Sequence, residues 1–257
     1  MKRILTAAIL LPPVIYLIFR AHPAAVAAAA AAAALLCFHE YRGLVRHYGI
    51  STAGPLGYAA GLLVLLVPSH GVLVVTLLLL ALLALSLHND DLAAVLPRAA
   101  ILGFGVIYIF GPWRCAIALR EMSPHWLFFA LVLGWIGDTA AYYVGRAAGR
   151  HKLAPKLSPS KTWEGSVASV AASLAFGVAY LTRFVPGITV AETVALTLVA
   201  NLAGQLGDLS ESAIKRGAGV KDSGTWLPGH GGWLDRLDSN LFSLPVVYFW
   251  LQWIQQP

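Results

Sequence analysis

HWLFFALVLGWIGDTAAYYVGRAAGRHKLAPKLSPSKTWEG, running from His125 to Gly165, holds the pattern that decides the fold. Its apolar part, at about 125–145, reaches the roughly 20 residues that a helix needs to cross a bilayer. A short basic gap follows, with Arg146, Arg150, Lys152, Lys156 and Lys161, and a second apolar run opens at about 164–185. The alternation repeats along the chain, with further apolar runs at about 4–19, 23–38, 54–68, 71–88, 99–118, 189–207 and 240–254. Some are short enough to be tilted or partly re-entrant. The pattern predicts an all-α, polytopic integral membrane protein with about nine transmembrane helices.

Composition points the same way. The 257 residues are 58% hydrophobic and 12% charged, with a mean hydropathy of +0.72. So much apolar surface does not fit inside one water-soluble core. Lys2-Arg3 before Ile4–Phe19 resembles a signal peptide, but Pro12-Pro13 interrupts the run and no convincing cleavage site precedes the next one. We read it as an uncleaved first helix. With the N-terminus cytoplasmic, nine spans put fourteen of the eighteen Lys and Arg on the inner face and leave only Arg20, Arg114, Arg120 and Arg183 outside. That asymmetry is the positive-inside rule, and it places the segments 146–163 and 208–239 in the cytoplasm. The expected organisation is an N-terminal group of about five transmembrane helices over 1–120 and a charge-bearing region over 121–257.

The net charge of +6 does not indicate nucleic acid, because the basic residues sit in short gaps between apolar runs and not on a polar face. Cys37 and Cys115 lie in apolar stretches without metal-ligand spacing. The alanine-rich run Ala24–Ala34 carries no chemistry, but its small side chains allow close helix packing and would permit a homodimer.

Charge gathers instead in GDLSESAIKRGAGVKDSGTWLPGHGGWLDRLDS, Gly207 to Ser239, which holds five of the twelve carboxylates: Asp208, Glu211, Asp222, Asp235 and Asp238. Asp208, Glu211 and Lys215 follow at i, i+3 and i+7, and Asp235 and Asp238 at i and i+3, so each group can share a helix face. If glycines turn the chain back between them, two acidic faces meet. Such an arrangement suits a divalent metal carrying phosphates, with Lys215, Arg216, Lys221 and Arg236 supplying positive charge. Upstream, Asp138 inside an apolar run is either functional or a helix-end cap beside Gly137. Ser158, Lys161 and Thr162 on a proline-stiffened loop before a helix suit phosphate binding, whereas Lys152 serves topology equally well. Pro228-Gly-His-Gly-Gly232 gives a backbone able to approach a ligand closely, with His230 at its centre. Oxygen-rich surroundings favour magnesium over an imidazole-bound metal. No Walker loop, G-x-S-x-G elbow or zinc spacing occurs.

Ser212-Ala-Ile-Lys-Arg216, Lys221-Asp222, Pro228-Gly-His-Gly-Gly232 and Asp235-Arg-Leu-Asp-Ser239 together resemble the signature of the phosphatidate cytidylyltransferase (CDP-diacylglycerol synthase) family. Asp138-Thr139 with Tyr142 and Gly145, and Ser158-Pro-Ser-Lys-Thr-Trp-Glu-Gly165, resemble that family's upstream motifs. Ser160 and Ser223 depart from the pattern, where a lysine and an aromatic are expected. The resemblance implies a nucleotidyltransferase of phospholipid biosynthesis that converts CTP and phosphatidate to CDP-diacylglycerol and pyrophosphate. It places the enzyme in the inner (cytoplasmic) membrane, among membrane lipids, with the active site facing the cytoplasm. It implies Asp208, Lys215, Asp235 and Asp238 as catalytic residues. One or two Mg2+ ions would be held by Asp208, Asp235, Asp238 and Asp138. Ser158, Lys161, Thr162, Ser212, Arg216, Lys221, His230 and Arg236 would contact substrate. The competing class is an ion-coupled transporter or channel using Asp138 as a cation site, against which stands the placement of the acids in a loop on one side.

Overall fold

Each apolar run is helical because a backbone in lipid must satisfy its own hydrogen bonds. The structure, a computed structural model, describes residues 2–50, 54–67, 71–87, 91–226 and 231–254. Among these residues there are nine α-helices: α1 (Lys2–Phe19), α2 (Pro23–His47), α3 (Gly54–Leu66), α4 (Gly71–Ser86), α5 (Val95–Met122), α6 (Pro124–Ala148), α7 (Trp163–Phe184), α8 (Val190–Gly217) and α9 (Leu234–Ile254). Five are long and apolar enough to cross a membrane: α2, α5 with the short turn Leu92–Ala94 before it, α6, α7 and α8. Apolar side chains fill the core and also cover much of the outer surface. Leu66, Leu77 and Leu80 are exposed while Ser173, Thr193, Thr197 and Glu211 are fully enclosed. This is the arrangement of a multi-pass membrane protein, whose surroundings are as apolar as leucine.

Local signals set the helix ends. Ser123 accepts from the His125 amide to cap α6, with Pro124 at the first helical position. Thr189 and Glu192 form a reciprocal capping box at the start of α8, the Glu192 amide donating to Thr189 Oγ1 and the Thr189 amide to Glu192 Oε2. At its other end α8 closes in a Schellman motif: Val220 N donates to Lys215 O and Gly219 N to Arg216 O, with Gly219 at φ 73°.

Three extents differ from the sequence reading. α2 runs past Phe38 to His47, because Glu40 and Tyr41 are buried and bonded, Tyr41 Oη donating to Ile101 O at 2.8 Å. α8 runs past the apolar stretch and carries Asp208, Glu211 and Lys215 as helix. The loop after α6 is not irregular. It is an antiparallel hairpin of β1 (Lys152–Ala154) and β2 (Ser158–Thr162), so the all-α description gains one small two-stranded sheet. The pairing shifts between Lys152/Thr162 and Ala154/Ser158, the irregularity of a bulge.

The chain forms two compact units. One comprises Met1–Val26, Cys115–Ala213 and Leu237–Pro257. Within it α6 and α7 cross along a seam of small residues, Gly137 against Ser169 and Ser173, and Gly145 against Gly165. Close approach of this kind takes the place of the hydrophobic effect in lipid. Phe19, His125, Phe128, Tyr180 and Phe184 form an aromatic cluster where α1, α6 and α7 meet. The other unit comprises Ala27–Arg114 and Ile214–Arg236. Its core is Phe38, ringed by Tyr58 and Phe110, and Tyr48 Oη donates to Ile214 O at 2.7 Å.

A Cβ at Gly165 would lie 2.8 Å from the Ala141 carbonyl oxygen, so α6 and α7 would have to part. Gly165→Val is therefore expected to destabilise the purified protein by about 1–3 kcal/mol, the cost of overpacking, read as a lowered melting temperature in detergent.

Candidate active site

In the first unit the charged residues converge from four elements. α6 contributes Asp138, β2 contributes Lys161, α8 contributes Asp208 and Glu211, and α9 contributes Asp238. The carboxylates of Asp208, Glu211 and Asp138 are near enough to act electrostatically on that of Asp238, which is buried and accepts the Ser239 amide at 2.7 Å. Lys161 Nζ lies 2.5 Å from Asp208 Oδ2, both side chains about three-quarters covered. Among the described residues, four acids therefore stand within electrostatic reach of one another, one of them paired with Lys161.

The position of Lys161 follows from its neighbours. Thr162 is buried, and its hydroxyl accepts from Gly165 N at 3.1 Å as the cap of α7. The Trp163 amide donates to His151 O, and Glu164 accepts from the backbone N and pairs with the ring Nδ1 of His151, so the hairpin is bound to the helix start. Successive strand residues point to opposite sides, so the anchored Thr162 sets the side on which Lys161 emerges. Thr162, expected from the sequence to contact phosphate, accepts the cap hydrogen bond and keeps its own O–H to donate. Ser158 lies at the start of β2, its hydroxyl 3.5 Å from that of Ser160.

Beneath the acids runs a polar network the sequence reading did not single out. Asn201 Nδ2 donates to Ser169 Oγ at 3.0 Å and Ser173 Oγ at 2.8 Å, and Gln205 Nε2 donates to Asn201 Oδ1 at 2.8 Å. Ser166 donates to Gln205 Oε1 at 2.5 Å. A small cavity opens here, lined by Asp138, Ser169, Asn201, Gln205, Ser239 and Ser243 among others. The signal was present in the sequence: Asn201, Gln205, Asp208 and Glu211 lie at i, i+4, i+7 and i+10, a polar stripe along one face of the helix.

The second unit holds Lys215 and Asp235. Lys215 Nζ donates to Asp235 Oδ1 at 2.5 Å, and Asp235 Oδ2 accepts from Gly232 N at 2.7 Å and Ser223 N at 3.0 Å. Both side chains are nearly covered, at 11% and 5% exposure. Asp235 and Asp238, three apart on α9, thus belong to different units. Ser212 is partly exposed on α8, and Arg216 donates to Val220 O at the end of that helix. Lys221 and Arg236 are exposed, and His230 lies outside the described residues.

Chemically, the first constellation offers oxygen donors with one exchangeable ammonium, a set that suits a hard divalent cation and a phosphate together. As the side chains stand, no three His, Cys, Asp or Glu among the described residues form a ready-made metal cage. Lys161 holds Asp208 in the place a cation would take.

A family model described as the cytidylyltransferase family matches residues 1–254. A phosphatidate cytidylyltransferase of Staphylococcus saprophyticus is 40% identical over 157 residues, 61% of this chain and 58% of that protein. One of Staphylococcus haemolyticus is 38% identical over the same shares. One of Staphylococcus aureus strain COL is 36% identical over 203 residues, 74% of this chain and 75% of the relative. The chain therefore spans 58% of the length of the first two relatives.

The crowding of acids has a measurable consequence. Magnesium is expected to raise the melting temperature of the wild-type protein by mass action, and Asp238→Asn to abolish the rise. Thermal melts in detergent at constant ionic strength check both.

Proposed function

Because the chain belongs to the cytidylyltransferase family, we propose that it is a phosphatidate cytidylyltransferase, forming CDP-diacylglycerol and pyrophosphate from CTP and phosphatidate. The observation that carries the reading is the cluster of Asp138, Asp208, Glu211 and Asp238 with Lys161 bound at its edge. An oxygen of the lipid phosphate, already anionic near neutral pH, forms a bond to the CTP α-phosphorus as the bond to the pyrophosphate leaving group breaks. Such a transfer needs alignment and neutralised charge more than a strong base. The absence of a catalytic His or Cys dyad from the motifs fits that chemistry.

Lys161 exchanges Asp208 for a substrate phosphate, and Ser158 and Thr162 add hydroxyls on the same strand. Lys215, held by Asp235, offers its remaining N–H donors to the triphosphate or the lipid phosphate. Arg216, Lys221, His230 and Arg236 bring further donors to the anionic substrates, and Ser212 a hydroxyl. Asp208, Asp238 and Asp138 fit one or two magnesium ions. Asp235 stays in that set, since a carboxylate with three donors keeps a lone pair. Bound there, magnesium would neutralise charge on the α-phosphate and the departing pyrophosphate.

The same reading extends to the membrane. About nine helices enter the bacterial inner membrane, the shorter ones tilted or partly re-entrant, the N-terminus and the hairpin face the cytoplasm, and phosphatidate enters from the bilayer between helices. The charge asymmetry of the segments between helices supports that topology. The alanine-rich face of α2 supports a homodimer.

The test is pyrophosphate release by the detergent-solubilised protein with phosphatidate and CTP, dCTP, ATP or GTP. The expected result is a CDP-lipid formed only with cytidine nucleotides and lost with chelator. Turnover with no nucleotide in folded protein overturns the reading and favours cation flux measured in vesicles. Asp238→Asn and Asp235→Asn are each expected to lower kcat by about 100-fold or more while the protein still inserts. Lys161→Ala is expected to cost about 10- to 100-fold in kcat/KM, read from initial rates.

A further inference from the structure

Glu40 carries no motif and sits just beyond an alanine-rich run, yet its carboxylate is among the most committed in the protein. It is 3% exposed on α2 and accepts three hydrogen bonds: from Ser223 Oγ at 2.9 Å, Trp233 N at 2.9 Å and Leu234 N at 2.8 Å. The last two are amides at the start of α9 that have no carbonyl partner within the helix, where the helix dipole favours an anion. The chain is shaped to receive this side chain. A Cβ at Gly224 would lie 2.6 Å from Glu40 Oε1, and one at Gly232 would collide with Oε2 and with Ser223 Oγ.

Ser223 is bonded on two sides. Its hydroxyl donates to Glu40, and its amide donates to Asp235, which in turn holds Lys215. The Gly232 amide, next to the Trp233 amide that Glu40 takes, also donates to Asp235. Among the described residues, the two backbone amides that donate to Asp235, those of Ser223 and Gly232, therefore come from the two short stretches that Glu40 pins.

Resting on the function proposed above, we propose that Glu40 is a positioning residue for the reaction. It clamps residues 223–224 and 232–234 so that Asp235 presents Lys215 in one orientation. Glu40 touches neither substrate nor metal in this role, and Ser223 acts through it.

The experiment compares wild type, Glu40→Gln, Ser223→Ala and the double variant, each shown to be folded by gel filtration and thermal melt in detergent. Hydrogen exchange of peptides covering Trp233 and Leu234 is measured without nucleotide or metal, and kcat and KM with CTP and phosphatidate. Glu40→Gln keeps the shape but turns one acceptor into a donor. It is expected to speed exchange at those amides about tenfold or more and to lower kcat by about 10- to 100-fold, with the KM for CTP changing less than about threefold. Ser223→Ala is expected to lower kcat by about three- to tenfold and to add nothing to Glu40→Gln, as for two residues acting in one network. Wild-type exchange and kcat in Glu40→Gln overturn the proposal, as do additive effects of the two substitutions. A kcat that falls only with the folded fraction overturns it too. If the wild-type protein forms no CDP-lipid, the functional reading fails, while the exchange rates still decide whether Glu40 clamps the segment.

Discussion

A carboxylate or ammonium inside an apolar bundle has no water to stabilise it, so it must find an opposite charge or several hydrogen-bond donors. That constraint explains most of the non-apolar geometry in this protein. Lys161 meets Asp208, Lys215 meets Asp235, and Glu40 meets two backbone amides and a hydroxyl. Around Asp238 the carboxylates of Asp208, Glu211 and Asp138 gather within electrostatic reach instead.

The same constraint separates two uses of an acidic side chain that look alike in the sequence. Asp235 and Asp238 share a three-residue spacing and a helix, but the first is surrounded by donors and the second by other acids. One arrangement holds a lysine still. The other collects negative charge in a place where Asn201, Gln205 and the serines of α7 provide neutral dipoles that cost little to bury once bonded to each other.

Much of this was legible in the sequence. The nine apolar runs became nine helices among the described residues, and Asp138, Lys161, Asp208 and Asp238 were brought together from four elements that lie far apart in the chain. What stayed hidden has physical reasons. Glu40 looked like the polar end of a short helix because the partners that bury it lie 183 to 194 residues further on. The capping of α7 by Thr162 was hidden because serine and threonine serve caps and anions with the same hydroxyl. The hairpin was read as a loop because Pro155, Pro159 and two serines suppress strand propensity, and pairing with β1 overrides it. Glu211 was counted among the acids but not placed in the site, although its spacing from Asp208 put it on the right face.

The alternation along β2 also bears on how such chains can change length. Thr162 is tied to the start of α7, and Lys161 must leave the strand on the opposite side. One residue inserted between Lys161 and Thr162 would turn Lys161 to the other face, and loss of Lys161 itself would bring Ser160 toward Asp208. The turn at Pro155–Leu157 carries no such obligation, because the register is anchored on the helix side. Related chains are free to grow or shrink at the tip of the hairpin, and variation in length should gather there while the strand that follows keeps its count.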